Sequence, residues 1–130
     1  MPITPLYASL FAIIYVYLSL NVIKHRFSKK NSVASGGDES LNIAIRIHGN
    51  FIEYVPISLI LFWFIEVIAF ASYWVVILGS VLLLARIAHI IGMNDTKNML
   101  IFRQIGMVAT FAVILISAAI LIWHYLPVLI

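Results

Sequence analysis

Residues 47–85 read IHGNFIEYVPISLILFWFIEVIAFASYWVVILGSVLLLA, 39 consecutive positions interrupted by two charges, Glu53 and Glu66. A membrane-spanning helix needs roughly 20 mostly apolar residues, so the run is long enough for two spans and predicts a hairpin. Ser72, Tyr73 and Trp74 supply small and interfacial residues for a turn near 69–74. Outward from the hairpin, 1–23 and 104–130 carry no charge, whereas 24–42 is polar. The sequence thus predicts spans at about 4–23, 43–68, 73–92 and 104–126: one all-α domain over 1–130, an integral membrane four-helix bundle.

Composition excludes the alternatives. Hydrophobic residues make up 64% of the chain and charged ones 10%, against about a quarter charged in a soluble domain. The absence of cysteine removes thiol nucleophiles, iron–sulfur clusters and zinc ribbons, so any thiol chemistry must come from a substrate. A net charge of +3 would suggest nucleic acid as partner of a soluble protein; here the placement of charge matters more, and membrane lipid is the expected partner. Lys24, Arg26, Lys29 and Lys30 fall in the first loop with Arg46 at its far edge. Lys97 and Arg103 fall in the third loop, with Arg86 leading into it. Basic loops stay in the cytoplasm, which predicts outward termini and cytoplasmic first and third loops. The first span lacks a basic n-region and precedes a basic cluster, so it reads as a retained helix. Ser40 or Asn42 is the expected cap of the second helix.

Ionisable residues inside hydrocarbon cost several kcal/mol and are, by default, paired or functional. Arg46, Asn50 and Glu53 (i, i+4, i+7) share one stripe of the second helix with Tyr54 at its edge. His48 and Glu66 point to nearly the opposite face. Counted back from a turn between 69 and 70, Glu53 and Arg86 lie at similar depth and can face each other, roughly 25 Å along their helices. Arg46 lies two turns nearer the cytoplasm, where Arg103 also approaches. Two readings stay open for Glu53 and Arg86: mutual neutralisation within the bundle, or joint service to a ligand. The larger set favours the ligand, because one carboxylate cannot neutralise three guanidinium groups. His48 and His89 have no aligned carboxylates, so no metal site is expected. Gly49 and Pro56 read as packing residues of the second helix, Glu66 as interfacial, and Trp74, Trp123 and Tyr125 as an outer aromatic belt.

The run from Arg46 to Pro56, RIHGNFIEYVP, resembles the second-helix signature R-x-x-x-N-x-x-E-[YF]-x-P of the MAPEG family, the membrane-associated proteins in eicosanoid and glutathione metabolism. Length and span number fit that family across essentially the whole chain, and the compact form is similar to its small bacterial inner-membrane members. The resemblance implies a homotrimer of four-helix subunits binding glutathione as co-substrate between neighbours. It implies that Arg46, Asn50, Glu53, Tyr54 and Arg86 anchor glutathione, and that Arg103 polarises its thiol. His89 and Met93 stand where the leukotriene-forming synthases have tyrosines. His89 keeps a hydrogen-bond donor there; Met93 has none.

The charge inventory agrees with that implication. Glutathione with its thiol ionised carries three negative groups and one ammonium, matched by Arg46, Arg86 and Arg103 with Glu53. A guanidinium beside sulfur favours thiolate over a thiol whose usual pKa is about 8.5. The expected function is a glutathione-dependent transferase or peroxidase acting on lipophilic electrophiles or hydroperoxides. The alternative is a non-catalytic lipid-binding scaffold of the same fold. A small channel or transporter ranks third, since the chain lacks the broken helices and inverted repeats of such proteins.

Overall fold

The computed structural model describes residues 1–29, 38–68, 70, 72–94 and 99–129. These form four helices: α1 (Thr4–Lys29), α2 (Glu39–Val67), α3 (Tyr73–Asn94) and α4 (Leu100–Leu129). All four are long and apolar enough to cross a membrane. At 1.5 Å per residue they run about 33 to 45 Å, longer than a hydrocarbon core of about 30 Å. The turn expected near 69–74 is there, with Ser72 O accepting from Val75 N and Val76 N to start α3. Lys30, Lys97, Ala69 and the 35–37 stretch lie outside the described residues.

The cap of α2 is Asp38, not Ser40 or Asn42: its side chain accepts from Leu41 N at 2.8 Å and from Ser40 Oγ at 2.6 Å. Helix α2 therefore starts four residues before the expected span. A carboxylate suits that position because it satisfies an orphan N–H and meets the positive end of the helix dipole. The consequence reaches the site below, since Glu39 now belongs to a helix.

Packing follows the two faces of α2. On one face Phe51, Val55, Phe62 and Ile65 are buried, Phe51 meeting Phe11 of α1 edge to face at 6.0 Å. His48 and Glu66, read as facing away from the polar stripe, both meet α1. His48 Nε2 lies 2.9 Å from Ser19 Oγ, and its ring is 5.3 Å from that of Tyr15. Ser19 donates its own hydroxyl proton to Tyr15 O at 2.9 Å, so His48 supplies the proton between them. Outward surfaces are apolar, with Ile13, Leu84, Leu115 and Trp123 exposed, as lipid contact requires.

Glu66 does more than sit at an interface. Its carboxylate accepts from Ile3 N and from Thr4 N, the latter at 3.1 Å, and so caps α1 from another helix. Replacing Glu66 with alanine is expected to cost about 1 to 2 kcal/mol, a lost cap plus a lost dipole interaction. Faster amide exchange confined to the first turn of α1, with Glu66→Gln less affected, is the corresponding measurement.

Helices α3 and α4 approach through glycines. A Cβ on Gly106 would lie 2.6 Å from Ala85 O, and one on Gly92 would lie 2.3 Å from Arg103 N. Lipid offers no hydrophobic drive between helices, so close backbone approach and polar contacts hold them together. Gly79 performs the same service for Tyr7, whose hydroxyl donates to Val76 O at 2.9 Å and meets Ser80 Oγ at 2.7 Å.

Candidate functional site

Where α2 begins, α3 ends and α4 begins, the bundle opens into a cavity of about 770 Å³. Five of the seven predicted site residues line it: Arg46, Asn50, Glu53, His89 and Arg103. The stripe reading of α2 explains why. Arg46, Asn50 and Glu53 project together from one face, while α1 covers the opposite one. Arg103 arrives from the first turn of α4, and its backbone is pressed against Gly92 of α3. Its side chain makes a soft contact: Nη1 lies 4.0 Å from Met93 Sδ.

Arg86 and Tyr54 sit differently. The Arg86 side chain is 1% exposed and does not line the cavity. Nη1 donates to Asn50 Oδ1 at 2.8 Å and Nη2 to Thr110 Oγ1 at 2.7 Å, with a longer contact to Gly106 O at 3.4 Å. Thr110 passes its proton on to Gly106 O at 2.7 Å. The guanidinium also stands 5.8 Å from the Tyr54 ring centroid, and Tyr54 packs edge to face on Phe111 at 5.4 Å. A buried cation is thus held by neutral acceptors and an aromatic face.

The expected meeting of Glu53 with Arg86 does not occur. Helix α2 ends at Val67 and α3 begins at Tyr73, so the hairpin is centred near residue 70 and the partner of Arg86 in depth is Tyr54. The guanidinium turns toward Asn50 and α4, leaving Glu53 facing the opening. Arg46, Glu53 and Arg103 have no carboxylate or cation partner among the described residues. The arginine surplus also narrows, because Glu39 lines the cavity beside Arg46 and Glu53. Among the described residues, two arginines and two glutamates face the space, and Arg86 stands behind them.

Residues 4–123 match the sequence model of the MAPEG family. The chain belongs to the MAPEG family. Two relatives, each named "Inner membrane protein YecN", from Escherichia coli K12 and Escherichia coli O6:H1, are 34% identical over 125 residues. The alignments cover 96% of this chain and 93% of theirs. No solved structure matches the chain. With four apolar spans and relatives of that description, this MAPEG chain is an integral, multi-pass inner-membrane protein.

Sequence reasoning passed over Glu39, Asn42 and Met107 as members of one lining with the signature residues of this MAPEG chain. A signal for the first two was present: Glu39, Arg46 and Glu53 recur every seven residues, and Asn42 precedes Arg46 by four. Placing the start of the helix at 43 hid it. Thr110 was silent, because a threonine in an apolar helix usually bonds its own backbone.

Proposed function

We propose that this MAPEG protein is a glutathione-dependent transferase or peroxidase whose lipophilic second substrate arrives from the membrane. The single observation that carries the reading is the open cavity lined by Arg46, Arg103 and, on the same α2 stripe as Arg46, Glu53, none of them in an ion pair among the described residues. Arg46 and Glu53 are seven residues apart, about 10 Å along a helix. A carboxylate bound at Arg46 and an ammonium at Glu53 fit a zwitterionic peptide of about that length. Arginine suits the anionic end, since its fork grips carboxylate bidentately and holds its charge.

Arg103 then sits beside the sulfur and stabilises thiolate. The thiolate attacks a carbon electrophile, forming a carbon–sulfur bond as the leaving group departs with the electron pair. With a hydroperoxide, two thiols give a disulfide, an alcohol and water. A homotrimer fits the exposure of Arg46 and Glu53: a neighbouring copy would roof the opening. Space exists for it, since a Cβ on Gly49 would meet nothing within 4 Å. Outward termini and a cytoplasmic cavity mouth complete the proposal, which brings the peptide from the cytoplasm.

Calorimetric titration of the detergent-solubilised protein with glutathione tests the reading. Arg46→Ala and Glu53→Ala are each expected to weaken binding about ten- to hundredfold, the value of a charge-assisted contact. Neither residue has an ion-pair partner among the described residues, so unfolding temperatures should hold. Met93 beside Arg103 supports the second reading, a non-catalytic lipid-binding scaffold, because a thioether offers a ligand no donor. Heat absent from glutathione but present with a lipid would select it.

A further inference from the structure

The hydrogen bond between Arg86 and Asn50 fixes which end of the Asn50 amide faces the cavity. Guanidinium has five donors and no acceptor, so the atom 2.8 Å from Nη1 must be the amide oxygen. Asn50 nevertheless lines the cavity. Its two N–H donors are therefore the part left to meet a ligand. Arg86 is locked in this role by Thr110 and Gly106 on α4 and by the Tyr54 ring, and it does not itself reach the cavity lining.

We infer that Arg86 is a positioning residue that turns Asn50 into a hydrogen-bond donor, so that this level of the cavity selects a carboxylate or carbonyl oxygen and rejects an ammonium. The inference rests on the proposed peptide site for its ligand and on geometry alone for the orientation of the amide. It divides the cavity by chemistry: donors from Arg46, Asn50 and Arg103 take oxygens or sulfur, and Glu53, one turn beyond Asn50, takes the positive group. Aspartate at position 50 would still satisfy Arg86 but would present only acceptors.

A double-mutant cycle on the intact protein in detergent separates this role from direct contact. Glutathione affinity should fall about ten- to hundredfold in Asn50→Ala. Arg86→Lys should fall less, and the double variant should bind no more weakly than Asn50→Ala alone. Asn50→Asp should lose as much affinity as Asn50→Ala while keeping its unfolding temperature. Additive losses would place Arg86 on the ligand and overturn the inference. A second measurement needs no ligand, so a failure to bind glutathione would count against the proposed function alone. In protein with ¹⁵N-labelled asparagine, a soluble paramagnetic agent should broaden the Asn50 side-chain amide protons. Arg86→Lys, with its rotatable donors, should reduce that broadening. Protection of those protons in the unsubstituted protein would show them turned inward and refute the assignment.

Discussion

Alanine in place of Gly92 is expected to destabilise the bundle by about 3 kcal/mol, the upper part of the usual range for overpacking. The obstacles are backbone atoms rather than flexible side-chain ends: Arg103 N at 2.3 Å, Arg103 Cα at 2.9 Å and Met99 O at 2.9 Å. No rotamer change relieves them, so α3 and α4 must part. Gly106→Ala meets Ala85 O at 2.6 Å and His89 N at 2.9 Å, and a loss of similar size is expected. Gly49→Ala is the internal control, since its added methyl enters open space. Thermal unfolding in one detergent should show the first two variants well below the parent and the third unchanged. Equal unfolding temperatures for all four proteins would contradict the close α3–α4 packing. The affected glycines also set the site, because Gly92 touches the backbone of Arg103 and Gly106 that of His89.

Much of this was legible from residue order. Two charges in 39 positions decided the hairpin, and the Arg46–Asn50–Glu53 spacing decided which face of α2 is polar. His48 and Glu66 were correctly assigned to the other face because helical periodicity is a property of the backbone and survives any tertiary arrangement. Pairings between helices were harder to read. A shift of half a residue in the hairpin centre moves the depth partner of Arg86 from Glu53 to Tyr54, and only interhelical packing fixes that shift. The preference of Arg86 for Asn50 and Thr110 over a carboxylate was illegible for the same reason. Coulomb attraction ranks Glu53 first, but neutral acceptors within reach win over a charged group that faces away. The glycines were partly legible: Gly79, Gly92 and Gly106 each sit in an apolar span, where small residues mark close approach. The sequence cannot say which neighbour approaches.

Arg103→Ala should reduce the thiolate fraction of bound glutathione about eight- to thirtyfold near pH 7. A thiol of pKa about 8.5 is only about 3% ionised there, and a nearby cation that lowers the pKa by about 1 to 3 units raises this to between about a quarter and nearly all. Two effects then compete in the rate. More thiolate speeds attack, but a more acidic thiol is a weaker nucleophile, with a Brønsted coefficient of about 0.4 to 0.5. The conjugation rate should therefore fall by less than the thiolate absorbance does. Raising the pH supplies the decisive comparison: the free thiol ionises unaided above its own pKa, so the absorbance gap should close by about pH 10. Arg103→Lys keeps a cation and should retain much of the low-pH signal. Because the contact from Arg103 Nη1 is a 4.0 Å approach to Met93 Sδ, removing the side chain should leave the unfolding temperature nearly unchanged, which separates its chemistry from packing. A rate and a thiolate spectrum that survive Arg103→Ala at neutral pH would remove the guanidinium from the mechanism, and with it the proposal that this cavity activates a thiol.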